Sequence, residues 1–349
     1  MKKAGIKIGT ALLGALLLTG CGEGEKSLTE QGMDAVAQQE YRSALDCFSR
    51  AIRAGEDKEE SYRGMGLAYM GQQRYDRALG SFLKALREAG TNPGELEFDI
   101  NYYMAICYYK TGEYDLAISC YDAITELRKK ETRAWYLKGS MKLYLGDLEG
   151  ALKDFDYALT IKKNDYSLYL DIYDSLHSHG YEAEAEQYLA VVRDAGSKEI
   201  SDYDKGRLCF YTGAYAQACN YLERARNEGR ADVELITLLG ECYREQGQFD
   251  YAAVVYNAYV DEHNDAEICN RLGMMLAGQK DYEQALEAFR RGKEIRENNT
   301  CMQELRYNEI VCCEYLQRYE EAAELLQEYT ETYGSTALLD KEQAFLLSR

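Results

Sequence analysis

The feature that most constrains this chain is a small residue that returns about every 34 positions along almost its whole length. Successive members are 33 or 34 residues apart in six of the eight intervals, and 39 or 37 apart in the other two. Self-similarity at a period of this size indicates a stack of similar structural units. We call these residues the marker alanines: Ala44, Ala78, Ala117, Ala151, Ala185, Ala218, Ala252, Ala285 and Ala322.

One unit is clearest in residues 62–90, where two apolar stripes with helical spacing flank a short polar break. Gly66 and Ala78 are small although they stand in the middle of these stripes, and Phe82 beside them is large. We therefore predict that two helix backbones approach closely at Gly66 and Ala78, with Phe82 filling the adjacent gap. A hairpin of this size cannot bury its own apolar face, so the unit needs neighbours.

This small and large pattern resembles the tetratricopeptide repeat, a helix–turn–helix unit of about 34 residues. The resemblance implies an all-α fold, a right-handed superhelical α-solenoid of about nine units over residues 27–333. The family's proline is missing from these units, and Tyr173 and Ile310 stand where a small residue is expected. The matching positions are Tyr62, Met65, Gly66, Tyr69, Ala78, Phe82 and Ala85 in one unit, and Trp135, Gly139, Ala151, Phe155 and Ala158 in another.

A last helix is expected over residues 334–349, after a Gly-Ser stop and start signal. Leu338, Leu339, Phe345 and Leu346 are predicted to lie on one side of it. A repeat array has to cover its final apolar face, so we interpret this helix as a cap.

The amino-terminal residues 1–20 have three lysines, then an apolar run that is too short to span a bilayer, and end in Leu-Thr-Gly before Cys21. This ending resembles the lipobox of bacterial lipoproteins. The resemblance implies a signal peptide cleaved after Gly20, lipidation of Cys21, a short tether over 21–26, and an exported protein anchored to the cell membrane. The alternative is an ordinary signal peptide in which the cysteine is coincidental.

The formal net charge of −19 argues against sequence-independent nucleic-acid binding, which needs a basic surface. No phosphate-binding loop, HExxH or GxSxG motif occurs, so the sequence predicts neither an enzyme nor a cofactor. His177 and His179 are two residues apart, and on a helix their side chains would diverge, which does not favour a metal site.

Ten cysteines follow Cys21, and none of them forms a CxxC motif. Several recur at equivalent repeat positions, such as Cys107, Cys242 and Cys312, which is typical of small buried packing residues. Disulfides remain an alternative in an exported protein, and the sequence cannot assign them.

In the tetratricopeptide family the first helix of each unit lines a concave groove that binds peptides or proteins. The resemblance places a set of aromatic and basic residues on this groove, and such residues are common at interface hot spots. The alternative is that they belong to the core, since the chain has 32 tyrosines. The predicted groove residues are Tyr102, Tyr109, Tyr136, Tyr144, Tyr203, Arg207, Phe210 and Tyr211, and repeat nine adds Tyr307 and Tyr315.

The leading hypothesis is a membrane-anchored, non-catalytic scaffold whose concave groove binds a protein or peptide. The alternative is a structural subunit of a cell-envelope assembly or secretion complex, held by its edges and its convex face. The sequence does not identify the partner, the type of envelope or the oligomeric state.

Overall fold

The computed structural model describes residues 26–90, 94–196, 199–295 and 299–349. Nineteen α-helices and no β-strand occur in these ranges, so the predicted all-α fold class is confirmed. The predicted signal segment 1–20 and the predicted lipidation site Cys21 lie outside the described residues, so both stay predictions.

The chain divides after Gly196 into two compact units. In the first unit ten helices form five consecutive hairpins, and the second helix of each hairpin packs against the first helix of the next. This is the stacking expected of a helical repeat. The helices are α1 (Leu28–Ala37), α2 (Tyr41–Ala54), α3 (Lys58–Gly71), α4 (Tyr75–Glu88), α5 (Glu95–Thr111), α6 (Tyr114–Leu127), α7 (Thr132–Tyr144), α8 (Leu148–Ile161), α9 (Tyr166–Ser178) and α10 (Glu182–Asp194).

The second unit contains four further hairpins, stacked in the same order, and one final helix that packs on the last hairpin. The nine hairpins of the two units match the number of repeats in the sequence. The helices are α11 (Asp202–Tyr211), α12 (Tyr215–Asn227), α13 (Val233–Glu245), α14 (Phe249–His263), α15 (Ala266–Gly278), α16 (Tyr282–Glu294), α17 (Met302–Tyr315), α18 (Tyr319–Tyr333) and α19 (Ala337–Leu346).

The predicted close approach of the two helices of a hairpin is confirmed. A Cβ added to Gly66 would lie 2.3 Å from the Phe82 ring, and one added to Gly273 would lie 2.4 Å from the Phe289 ring. Phe82 and Ala78 are fully buried, so the ring occupies the space that a larger residue at position 66 would need.

The two departures from the small-residue rule do not open their hairpins. Tyr173 and Ile310 replace the small residue, and both are buried. The residue sixteen positions further along the chain is a leucine, Leu189 or Leu326, as it also is opposite Gly206, where it is Leu222. Both hairpins remain packed.

Every hairpin turns through a residue in the left-handed conformation, five positions before its marker alanine. Glycine occupies this position in five hairpins, as at Gly112 with φ 81°, and glutamine or lysine in the other four, as at Gln73 with φ 57°. Side chains with a Cβ are disfavoured there by about 1 kcal/mol. Packing of the flanking helices therefore holds the turn even where glycine is absent.

The final helix α19 covers the end of the second unit with fewer residues than the sequence predicts. Leu346 is buried and Leu339 packs on the same cluster. Leu338 is 70% exposed and Phe345 also stays exposed, so the prediction that all four side chains lie on the covered side was wrong. A ten-residue helix that touches only one neighbouring face has room to bury only a narrow stripe.

Two carboxyl groups meet between α17 and α19. Burial and the nearby charge of Glu342 raise the pKa of Glu314 to about 7. A neighbouring like charge disfavours ionisation, so a proton on Glu314 relieves the repulsion between the two groups. The attachment of α19 therefore includes an interaction that depends on pH.

We predict that Gly66→Ala lowers the free energy of unfolding by about 1–3 kcal/mol, because its methyl group overlaps Phe82. Gly80→Ala is the matched control, since Gly80 is exposed in α4 and a Cβ there meets no atom within 4 Å. That change should leave stability the same or raise it by up to about 1 kcal/mol. Chemical denaturation of both variants checks the prediction, and equal stability of the two would contradict it.

We also predict that Glu314→Gln reduces the loss of stability between pH 5 and pH 8. The pKa of Glu314 is higher in the folded than in the unfolded chain, so its contribution is present below about pH 4.5 and is lost as pH rises through about 7. The melting temperature of the parent should therefore fall by about 2 °C more between pH 5 and pH 8 than that of Glu314→Gln. The effect is this small because solvent partly screens the carboxyl group. Thermal unfolding of both proteins at the two pH values measures it; parallel shifts would contradict the assignment.

Candidate binding surface of the first helices

The first helices of successive hairpins lie beside one another in each unit. Contacts join α1 with α3, α3 with α5 and α7 with α9 in the first unit. In the second unit they join α11 with α13, α13 with α15 and α15 with α17. We call the solvent-facing side of these helices the first-helix surface of each unit; it is the surface on which the sequence places the binding residues.

Tyr109 and Tyr144 meet on the first-helix surface of the first unit, where their hydroxyl oxygens are 3.1 Å apart. The Tyr114 ring stacks on Tyr144 with a centroid distance of 4.7 Å, and His179 packs edge-on against Tyr144 at 4.5 Å. His179 Nδ1 lies 2.7 Å from the Ser175 carbonyl oxygen, so Nδ1 carries the hydrogen. The Tyr144 ring thus has neighbours from two hairpins, the one before its own and the one after it.

Tyr136 and Tyr102 are also engaged inside the first unit. The Tyr136 hydroxyl lies 2.9 Å from Ser175 Oγ and donates to the Asp171 carbonyl oxygen at 3.3 Å. Tyr102 packs edge-on against Tyr121 at 6.0 Å. Burial raises the pKa of both phenols well above the usual range. Both side chains stabilise contacts between helices.

In the second unit, Tyr203 and Arg207 are buried. The Arg230 guanidinium lies 3.3 Å from the centre of the Tyr203 ring, and the Tyr203 hydroxyl donates to Glu234 at 3.4 Å. Arg207 forms an ion pair with Asp204 at 3.8 Å. Cation–π and charge-assisted contacts of this kind hold the start of α11 in place.

Phe210 and Tyr211 are half-buried at the end of α11. Their rings meet edge-on at 5.9 Å, and Phe210 also contacts Tyr215 at 5.6 Å. Of the eight predicted groove residues, the structure brings together Tyr109 with Tyr144 in the first unit. In the second unit it brings together Phe210 with Tyr211, and it places the Arg207 guanidinium 5.8 Å from the Tyr203 ring centre and 6.0 Å from that of Tyr211. The role of all eight in partner binding stays a prediction.

The most exposed apolar side chains on the first-helix surface of the second unit are not among those eight residues. Met274 on α15 is 59% exposed and Tyr315 on α17 is 62% exposed. Tyr315 stacks on Tyr282 with a centroid distance of 4.4 Å and nearly parallel rings, so its position is well defined. Sequence reasoning included Tyr315 but missed Met274. The available signal was its repeat position, which is the same as that of Arg207.

Two carboxamides connect the same pair of helices. Asn308 Nδ2 donates to Asn270 Oδ1 at 2.9 Å, and both residues are half-buried. Beside them Arg271 pairs with Glu267 at 2.7 Å. Carboxamides offer donors and acceptors together, which is the hydrogen-bonding pattern of a peptide backbone.

A depression of about 520 Å³ lies on the other side of the first unit, on the second helices α8 and α10 and beside Tyr169 of α9. The Tyr188 hydroxyl, which lines it, donates to Asp156 Oδ1 at 3.0 Å. Val191 supplies exposed apolar surface at its edge. This depression is a candidate contact for a partner held on the second helices.

All ten cysteines in the described part of the chain are free thiols. Cys107 and Cys312 are buried, and burial raises the pKa of Cys107 to about 12 and that of Cys312 to about 11. Such thiols behave as packing residues, as their recurrence in the sequence predicts. His177 stacks on Tyr173 at 5.4 Å, away from the contacts of His179, and no cluster of three metal-ligating side chains occurs within the described ranges.

Stacked helical hairpins with a small residue under a large one define a helical-repeat protein. Profiles of the tetratricopeptide repeat match residues 29–93, 69–141, 132–165, 203–267 and 266–299. The chain belongs to the tetratricopeptide-repeat family. The stretches 166–202 and 300–349 lie outside these matches, and they contain Tyr173 and Ile310, the two departures from the small-residue rule.

Solved structures similar to the chain are remote in sequence. A crystal structure of MamA has 18% identity and a TM-score of 0.38, over 45% of this chain and 89% of that one. A second MamA structure has 16% identity and a TM-score of 0.39, over 59% and 98%. A human IFIT1 dimer with PPP-AAAA has 15% identity and a TM-score of 0.49, over 91% and 83%.

No curated protein matches the chain. Of the helices in the described ranges, none combines the length and the apolar character needed to cross a membrane.

Proposed function

We propose that the protein is a non-catalytic scaffold that holds a protein or peptide partner on the first-helix surface of its second unit. The observation that carries this proposal is the pair of exposed apolar side chains there, Met274 and Tyr315, on adjacent helices α15 and α17. Methionine adapts its shape to different partners, and tyrosine combines a large contact area with a polar tip.

The polar neighbours support a peptide-like partner. Asn270 and Asn308 lie on the same two helices as Met274 and Tyr315, and their carboxamides are paired with each other. An extended backbone that replaces or extends this pairing would keep each donor and acceptor bonded. Apolar side chains of the partner would then pack on the methionine and the tyrosine.

We predict that the double variant Met274→Ala, Tyr315→Ala weakens partner binding about tenfold or more, since it removes two exposed anchors. A photo-crosslinking amino acid at position 315 identifies the partner in cells, and calorimetry with that partner measures the affinity. The free energy of unfolding should change by less than about 0.5 kcal/mol, because both side chains are exposed.

The matched control is Tyr251→Ala, Val254→Ala on α14, a second helix of the same unit. These side chains are 63% and 65% exposed, so the same amount of apolar surface is removed from the other side of the hairpin. The control should bind normally. Loss of binding in the control with normal binding of the Met274 and Tyr315 variant would contradict the proposed surface.

We further propose that the chain is exported and anchored to the outer face of the bacterial cell membrane through a lipid on Cys21. The support is the order of charges, apolar run and small residues before that cysteine. A diacylglyceryl group supplies the two chains that stable anchoring requires. Residues 21–26 would then hold α1 close to the membrane, because six residues span about 20 Å at most.

We predict that Cys21→Ser abolishes incorporation of a labelled fatty acid and moves the protein from the membrane fraction to the soluble fraction. Cys47→Ser, at the nearest described cysteine, is the control and should keep both label and membrane association. Metabolic labelling and cell fractionation provide the two readouts. Continued labelling of the Cys21 variant would rule out lipidation at this residue.

The second candidate function is a structural subunit of an envelope assembly, and the depression lined by Tyr169 and Tyr188 favours it. In that case, photo-crosslinks would form from exposed second-helix positions such as Val191, and would appear at fixed stoichiometry. Crosslinks from position 315 alone would support the scaffold.

A further inference from the structure

Two thiols meet between adjacent repeats of the second unit. Cys219 on α12 and Cys242 on α13 belong to the same buried cluster, at the place where these two helices pack together. Gln246 Nε2 donates to Cys219 Sγ at 3.3 Å and to the Cys242 carbonyl oxygen at 3.0 Å. Cys242 is fully buried and Cys219 is 7% exposed, so a small molecule can reach the pair only at Cys219.

The repeat register shows that this pair is unusual. Position 219 directly follows a marker alanine, and position 242 lies in the first helix of the next hairpin. In two other pairs of repeats the cysteine is also present but faces leucine, as Cys107 with Leu79 and Cys312 with Leu286. At those places the cysteine belongs to an apolar core, whereas Cys219 and Cys242 bring two thiols to one interface.

The surroundings of the two thiols shift their pKa values in opposite directions. The neighbouring Cys242 thiol and the hydrogen bond from the Gln246 amide lower the pKa of Cys219, against the opposing effect of burial. The same contact and burial raise the pKa of Cys242. The other described thiols whose pKa shifts, such as those of Cys209, Cys120 and Cys301, are raised by burial. A thiolate is the reactive form of cysteine, so Cys219 is the nucleophile of this set.

We propose that Cys219 and Cys242 are a redox-active dithiol that reduces a small peroxide and closes a disulfide between α12 and α13. The Cys219 thiolate attacks one peroxide oxygen and the O–O bond breaks, which gives a sulfenic acid at Cys219 and, after protonation, water. The Cys242 sulfur then attacks Cys219 sulfur and displaces hydroxide, which leaves as water with the Cys242 proton. In total, two thiols and one hydrogen peroxide become one disulfide and two waters.

The disulfide would tie the second helix of one hairpin to the first helix of the next. It closes a loop that runs from residue 219 to residue 242 and includes the turn between the two hairpins. A cross-link of this kind restricts the unfolded chain and stabilises the folded one. Oxidation would therefore stiffen the second unit next to α13, one of the helices of its first-helix surface. This inference is independent of the proposed partner and of the lipid anchor.

The test uses the purified, fully reduced protein treated with an equimolar amount of hydrogen peroxide, blocked with iodoacetamide and digested with trypsin. Cys242 is the only cysteine in the tryptic peptide 231–244, whereas peptide 208–224 contains Cys209 and Cys219. We expect these two peptides to appear joined, lighter than their reduced sum by two hydrogen atoms. Cys107 and Cys120, whose thiols have raised pKa values, should be oxidised about tenfold more slowly.

Three variants decide which thiols react. Cys209→Ser is the matched control and should keep the joined peptide, because its thiol lies on the same tryptic fragment but is not bonded to Cys242. Cys219→Ser and Cys242→Ala should lose it, with circular dichroism confirming that each remains folded. Oxidation should also raise the melting temperature of the parent protein and leave that of Cys219→Ser unchanged. Persistence of the joined peptide in Cys219→Ser, or full alkylation of both thiols in the oxidised parent, would overturn the proposal.

Discussion

The whole chain depends on one kind of contact. In this contact a large side chain packs against a helix backbone that leaves no room for a Cβ. Phe82 fills the space beside Gly66, and Phe289 does the same at Gly273. A hairpin closed in this way still exposes apolar surface on its other faces, so it is stable only against the next hairpin. The period of about 34 residues follows from this contact, because each unit has to present the same surface to its neighbour.

The same contact explains which departures are tolerated. A tyrosine or an isoleucine occupies the small position at Tyr173 and Ile310, and a leucine then replaces the ring on the facing helix. The larger residue and the leucine are buried in both hairpins, and the two helices of each hairpin still pack together. The residue at the turn between the two helices also varies. A glutamine such as Gln73 can replace glycine there, because the two helices that it joins hold it in the left-handed conformation.

The stacking of the repeats also determines which side chains remain exposed and available to bind a partner. Aromatic residues near the ends of the first helices reach the adjacent hairpins, and Tyr144 is enclosed by Tyr114 and His179 in this way. Aromatic rings therefore connect one repeat to the next, and on the first helices of the second unit the large exposed apolar side chains are Met274 and Tyr315. The same holds for the thiols: the recurring cysteine faces leucine at Cys107, whereas at Cys242 it lies beside a second thiol, Cys219, whose pKa is lowered.

The sequence by itself determined the helical hairpins, their number and the close approach at Gly66, because these depend on residue size at fixed spacing within one unit. The proposal of a lipid anchor at Cys21 rests on the sequence alone. Only the tertiary structure decided that Tyr203 and Arg207 are buried, that Phe345 stays exposed on α19, and that Cys219 and Cys242 lie in one buried cluster. The physical reason is that exposure and reactivity depend on side chains from neighbouring repeats, 20 to 40 residues away along the chain. Helical periodicity reports which face a residue occupies, but not what covers that face.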